Sequence, residues 1–133
     1  MIVVDASVLV VALADDGAQG SQARRRLRGQ RLVAPELVDL EVASVLRRLV
    51  ATGSLAEQRA VAALDDLMDL PLMRVGHRRL LHRCWRLGAN LTVYDAAYVA
   101  AAEVLSVPLL PADGRMAEAP GIRCTVEVLQ PAG

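Results

Sequence analysis

Met1-Ile2-Val3-Val4-Asp5-Ala6-Ser7 opens the chain with an apolar run that stops on a carboxylate. A short, continuous apolar run suits a strand buried on both faces of a parallel sheet. Similar runs recur at Leu32-Val33-Ala34, Leu72-Met73-Arg74-Val75 and Val107-Pro108-Leu109-Leu110, and a last strand is expected near residues 123–126. Helical patterns separate them. One is expected from about Ser7 to Ala14, and an arginine-rich one from about Gln19 to Arg28, ended by Gly29. Pro35 suits the first position of a helix reaching about Ala51. Ser54 and Glu57 read as a capping box for a helix over 56–70. Further helices are expected up to Trp85 and, rich in alanine, from Tyr94 to Leu105. Strands alternating with helices predict an α/β fold with a parallel sheet.

At 133 residues, with no internal repeat or linker, the chain reads as one domain over 1–133 that buries a core without disulfides. Hydrophobic residues make up 54% of it, an excess that points to an interface as well as an interior. Net charge is zero, so no global pull toward nucleic acid exists. The basic residues are all arginine, however, and clusters at 24–31, 47–48 and 78–86 permit a phosphate-gripping surface. As single clusters they read equally as solvated helix faces. Cys84 and Cys124 match no metal-ligand spacing and are expected as reduced thiols. Residues 8–14 look like a signal-peptide core, but no basic residue precedes them and Asp5 interrupts the apolar stretch. Nothing approaches a membrane span, and a cytoplasmic protein is expected.

Four carboxylates stand out: Asp5, Glu41, Asp95 and Asp113. Each has a structural explanation. Asp5 suits a helix N-cap, Asp95 follows Thr92 at capping-box spacing, Asp113 precedes a glycine in a turn, and Glu41 suits a boundary ion pair. Their joint placement says more. Asp5 and Asp113 follow two separate strands, at the sheet edge where ligands bind in open α/β folds, and Asp95 enters at a helix N-terminus. On its helical wheel Glu41 borders the apolar stripe of Val38, Val42, Val45, Leu46 and Leu49, whereas Asp39 points nearly the opposite way. Carboxylates gathered from distant points repel unless a cation holds them, which predicts a magnesium or manganese site.

These segments resemble a known family. Met1-Ile2-Val3-Val4-Asp5-Ala6-Ser7, Glu41 in its helix, Tyr94-Asp95-Ala96-Ala97-Tyr98 and Leu109-Leu110-Pro111-Ala112-Asp113 are similar to PIN-domain ribonucleases, more narrowly the VapC toxins of toxin–antitoxin pairs. Each motif is short; the ordered set, running nearly end to end, is specific. The resemblance implies a three-layer α/β/α sandwich around a mainly parallel sheet of four to five strands. It implies an endoribonuclease that holds Mg2+, or Mn2+, on Asp5, Glu41, Asp95 and Asp113, with Ser7 supporting the ligand shell. Hydrolysis by water activated at the ion is expected to leave a 5′-phosphate and a 3′-hydroxyl. A homodimer silenced by a small VapB-type antitoxin is implied as well. The antitoxin's C-terminal segment is expected in an apolar groove lined by the helices at 36–51 and 56–70. The family commonly has threonine or serine where Pro111 stands, and proline offers neither hydroxyl nor N–H.

Aromatic residues are few. Tyr94 and Tyr98 read as packing residues rather than base platforms, and His77 and His82 as surface residues. RNA recognition is then expected to rest on arginine–phosphate contacts and on shape. Other functions fit less well. A phosphoacceptor receiver domain wants a lysine at its site, and the chain has none. A dehalogenase-type phosphatase wants aspartates two apart, but position 7 is serine, and no P-loop is present. The remaining alternative is a PIN-like domain, catalytically weak or inert, that binds RNA or a protein partner.

Overall fold

The computed structural model describes residues 1–111 and 114–129. The elements run β1 (Ile2–Val4), α1 (Ala6–Ala14), α2 (Ala18–Leu27), β2 (Leu32–Pro35), α3 (Val38–Ala51), α4 (Glu57–Asp69) and β3 (Leu72–Val75). A 3-10 turn (Arg78–Leu80) leads into α5 (Leu81–Leu87), followed by α6 (Val93–Leu105), β4 (Leu109–Leu110) and α7 (Arg115–Glu118). The strands form one four-stranded parallel sheet in the order β3-β2-β1-β4. Every residue of β1, β2 and β4 is buried, as a sheet with helices on both faces requires. Each large apolar side chain so enclosed contributes roughly 1.5–3 kcal/mol of transfer free energy. The architecture is the α/β/α sandwich expected.

Alanine explains how α6 lies close to the sheet. Ala96, Ala97, Ala100, Ala101 and Ala102 are buried along it, and the helix packs across β1, β2 and β4. Helix α1 packs against α2, α3 and α4. At the α1–α2 contact a Cβ on Gly20 would stand 1.7 Å from the Asp15 carbonyl oxygen, so only glycine allows that approach.

Four local expectations need correction. Pro35 ends β2 instead of starting α3, and it is buried. The last β1–β2 pair is Val3 with Val33, so the N–H that proline lacks is not required by the ladder. Glu36 N instead donates to Val75 O at 3.0 Å. Ser54 does not cap α4, whose N-cap is Ala56 without a side-chain bond. The backbone N–H groups of Ser54 and Leu55 both donate to Leu49 O, so Ser54 belongs to the closing turn of α3. The segment at 123–126 makes a single parallel bridge, Val126 to Leu109, rather than a strand. His77 is not a bare surface residue: its Nε2 accepts from Leu37 N at 3.0 Å, just before α3.

Candidate active site

Strand order fixes where a site can form. The chain proceeds from β1 outward to β2 and β3, then returns to the other side of β1 with β4. The crevice of such a sheet opens beyond the carboxyl ends of β1 and β4, where the order reverses. Asp5 stands there, its N–H donating to Leu110 O at 3.3 Å across the two strand ends. It is 8% exposed, the only charged side chain in the buried class among the described residues. Its Oδ1 accepts from Val8 N at 3.0 Å, so Asp5 also caps α1.

A cleft of about 260 Å³ opens beside it, lined by Asp5, Ser7, Asn90, Thr92, Asp95 and Arg115 together with Leu91 and Met116. Asp95 reaches the cleft because Thr92 starts α6 there: Thr92 Oγ1 accepts from Asp95 N at 3.0 Å. Placed in the first turn, the Asp95 carboxylate faces the positive end of the helix dipole.

Glu41 approaches from α3. Tyr98, one turn after Asp95 on α6, donates its hydroxyl to Glu41 Oε1 at 2.5 Å. Burial pushes the Glu41 carboxyl above its ordinary value, the Tyr98 hydrogen bond draws it back, and the negative charge of Asp95 adds to the rise. Burial raises the Tyr98 phenol strongly, and the bond to Glu41 with the charges of Glu41 and Asp5 raises it further. Asp5, Glu41 and Asp95 thus share one field. Asp39 faces elsewhere, paired with Arg74 through two 2.7 Å bonds. Asp113 lies outside the described residues. Pro111 is buried, and its carbonyl accepts from Leu129 N at 3.4 Å.

Oxygen-only donors of this kind suit a hard divalent ion such as Mg2+ or Mn2+. Among the described residues, no three acidic, histidine or cysteine side chains come close enough to hold an ion together. The described carboxylates therefore offer part of a donor set, with waters or a further ligand needed to complete it.

Two residues of the site were not singled out by sequence reasoning. Tyr98 has the sequence setting of a packing residue, yet its spacing of three from Asp95 puts both on one helix face. Arg115 follows the last strand and carried no pattern of its own. Tyr94, also read as packing, is 64% exposed.

Several arginines of the predicted phosphate surface have intramolecular partners. Arg24 donates to the carbonyls of Ala12 and Asp15, Arg26 pairs with Glu127, and Arg83 pairs with Glu103. A larger groove of about 660 Å³ runs between α1, α2 and α4, floored by Leu9, Leu13 and Leu27 and rimmed by Arg24, Arg28 and Arg59. Helix α3 contributes nothing to its lining, so it is a different groove from the one expected between the helices at 36–51 and 56–70. Among the described residues no helix is long and apolar enough to cross a membrane.

A PIN domain family model matches residues 2–122. Ribonuclease VapC1 of Mycobacterium tuberculosis is 44% identical over 129 residues, covering 96% of this chain and 97% of its own. Among solved structures, the sarcin-ricin loop cleaving toxin VapC20 of M. tuberculosis has a TM-score of 0.70 at 18% identity, covering 90% of this chain and 95% of its own. VapBC2 of Rickettsia felis, solved bound to a DNA fragment from its promoter, has a TM-score of 0.70 at 11% identity, covering 98% of this chain and 100% of its own. Those two likenesses concern the fold. Matched by the family model over residues 2–122 and by a VapC ribonuclease over 96% of its length, the chain belongs to the PIN-domain family, in its VapC branch.

Proposed function

We propose that this chain is the toxin of a type II toxin–antitoxin pair, an endoribonuclease that hydrolyses RNA phosphodiesters with Mg2+ or Mn2+. The observation that carries the reading is the convergence of Asp5 and Asp95 on one cleft beyond β1 and β4, with Glu41 within the field of Asp95. Asp5, Glu41, Asp95 and Asp113 would hold the ion, and Ser7, on the cleft wall beside Asp5, would support the shell. A divalent ion there supplies Lewis acidity to the scissile phosphate and to the attacking water. The protein's own contribution is placement. Asp5 is fixed by its cap to α1, Asp95 by Thr92, and Arg115 brings a positive charge to the same cleft for the phosphate.

A VapB-type antitoxin is the proposed partner, and the groove between α1, α2 and α4 suits an amphipathic segment with its apolar face on Leu9, Leu13 and Leu27 and an acidic side chain toward Arg28. A homodimer is proposed too, because Leu81, Trp85, Val93 and Tyr94 leave large apolar surface exposed on α5 and the start of α6. A cytoplasmic location is the one in which these partners meet.

Purified chain incubated with structured RNAs tests the reading. Cleavage is expected with magnesium or manganese, lost with chelator, and lost in Asp5→Asn. Metal-independent cleavage, or undiminished cleavage by Asp5→Asn, would refute it. RNA binding without any cleavage would favour the inert alternative, for which Pro111 in place of a hydroxyl residue speaks.

A further inference from the structure

Arg115 and Met116 reach the cleft from α7, a helix of four residues in which Met116 is the one buried side chain. So short a helix has little packing of its own, and its place depends on how the chain is held on either side. Val126 bridges Leu109 in parallel, so after β4 the chain must pass over α7 and return to the start of β4 before it reaches 126. The return is fastened at Gly121 and Arg123.

Arg83 of α5 and Glu103 of α6 make that fastening. Arg83 Nε donates to Glu103 Oε1 at 2.6 Å, and Arg83 Nη2 donates to Glu103 Oε2 at 3.1 Å and to Gly121 O at 2.6 Å. Glu103 Oε2 also accepts from Arg123 N at 2.8 Å. The two side chains thus grip the backbone on both sides of Ile122, shortly after α7 ends at Glu118. Their side chains are only 21% and 11% exposed, so solvent screens the pair less than it would an open surface pair. Burial opposes the charge on Glu103, but the bonds from Arg83 and from Arg123 N outweigh it and hold its carboxyl below the ordinary value. Glu103 itself lines no part of the cleft.

We propose that Glu103, acting with Arg83, is a positioning residue for RNA: the latch seats the segment after β4 so that α7 presents Arg115 to a substrate phosphate. This inference rests on the proposed reading of the cleft as an RNA site. Bulk electrostatics has the opposite sign. Removing an acid makes the protein more positive and would tighten RNA binding, whereas opening the latch loosens it.

The affinity of the whole protein for a structured RNA, read by fluorescence anisotropy with chelator present, tests the latch beside the cleavage KM with magnesium. Arg115→Ala should weaken binding about 10-fold, the size of one charge-assisted hydrogen bond. Glu103→Gln keeps the side-chain size, removes the charge and should weaken binding several-fold. The double variant should bind no more weakly than Arg115→Ala alone, because the latch acts through that arginine. Amide exchange should quicken over 114–122 in Glu103→Gln while α6 keeps its protection. Arg83→Met opens the same latch and takes the place of Glu103→Gln if that variant fails to fold. Unchanged or tighter binding by Glu103→Gln, unchanged exchange, or losses that multiply in the double variant overturn the inference, as does Arg115→Ala without effect. RNA that the wild type binds but never cuts refutes the endoribonuclease reading, and the affinities still decide the latch. No RNA binding at all overturns both.

Discussion

Asp39 and Arg74 form a two-bond ion pair, Nε to Oδ2 and Nη2 to Oδ1, both at 2.7 Å, that fastens the first turn of α3 to β3. Glu41 lies two residues further along the same helix, so this pair fixes the rotation that sends Glu41 toward α6 rather than toward solvent. Both partners are partly exposed, which limits the energy of the pair. Asp39→Ala should cost about 0.5–1 kcal/mol by urea unfolding. It should also lower RNA cleavage several-fold, because Glu41 loses its fixed direction. Cleavage equal to wild type would show that Glu41 is aligned without the pair.

Asp5 has two roles that substitution can separate. Asparagine keeps the cap to Val8 N, and alanine loses it. Asp5→Asn and Asp5→Ala should therefore abolish cleavage equally, while Asp5→Ala alone loses about 1 kcal/mol more stability. Thermal melts of the two variants beside an RNA cleavage assay check the difference.

The pH dependence of the metal-free protein follows from Glu41, whose carboxyl lies above its ordinary value near 4.5. Its folded value exceeds its unfolded one, so its contribution to stability is full below about 4.5 and is lost as pH rises through the folded value. Glu41→Gln mimics the protonated state. It should raise the metal-free melting temperature at pH 7 by on the order of 2 °C and lose that advantage at pH 4. Equal melting temperatures at both values would contradict the assignment.

Ser106 closes α6 with φ +56°, the one non-glycine residue with positive φ among those described. A left-handed conformation costs an L-residue with a Cβ roughly 1–2 kcal/mol, and glycine avoids it. Ser106→Gly should stabilise the fold by about 1 kcal/mol in denaturant titration without altering cleavage.

Pro111 leads from β4 toward Asp113 without a hydroxyl or an N–H to offer. Pro111→Thr supplies both while leaving the backbone carbonyl that accepts from Leu129 N. Metal affinity or cleavage rate should rise by about 10-fold. A silent substitution would show that the carboxylates gain nothing from a donor at this position.

Strands and helices were legible where the signal is local. The apolar runs at 2–4 and 32–34 announced buried strands because both faces of the sheet are covered there, so no polar alternation interrupts them, whereas 72–75 is an edge strand with Met73 exposed and Arg74 half-buried. Asp5 was legible for the same reason: a charge directly after a buried strand is conspicuous. Misreadings came where partners distant in sequence decide the local state. Pro35 continues β2 because β3 pairs with it, Val75 standing opposite, and no local propensity carries that information. Ser54 is claimed by the end of α3 rather than the start of α4. His77 acquires a role only because Leu37, forty residues earlier, brings an N–H to it. Tyr98 is the most instructive case, since an aromatic within an alanine-rich helix looks like filler until its hydroxyl is followed to Glu41.

The placement of β1 in the middle of the sheet has a consequence for biosynthesis. Asp5 is made long before the strand that completes its surroundings, Leu109–Leu110. A growing polypeptide stays harmless to the RNA around it until β4 has left the ribosome and paired with β1. Prematurely terminated products lacking β4 have a missing wall and should be inert.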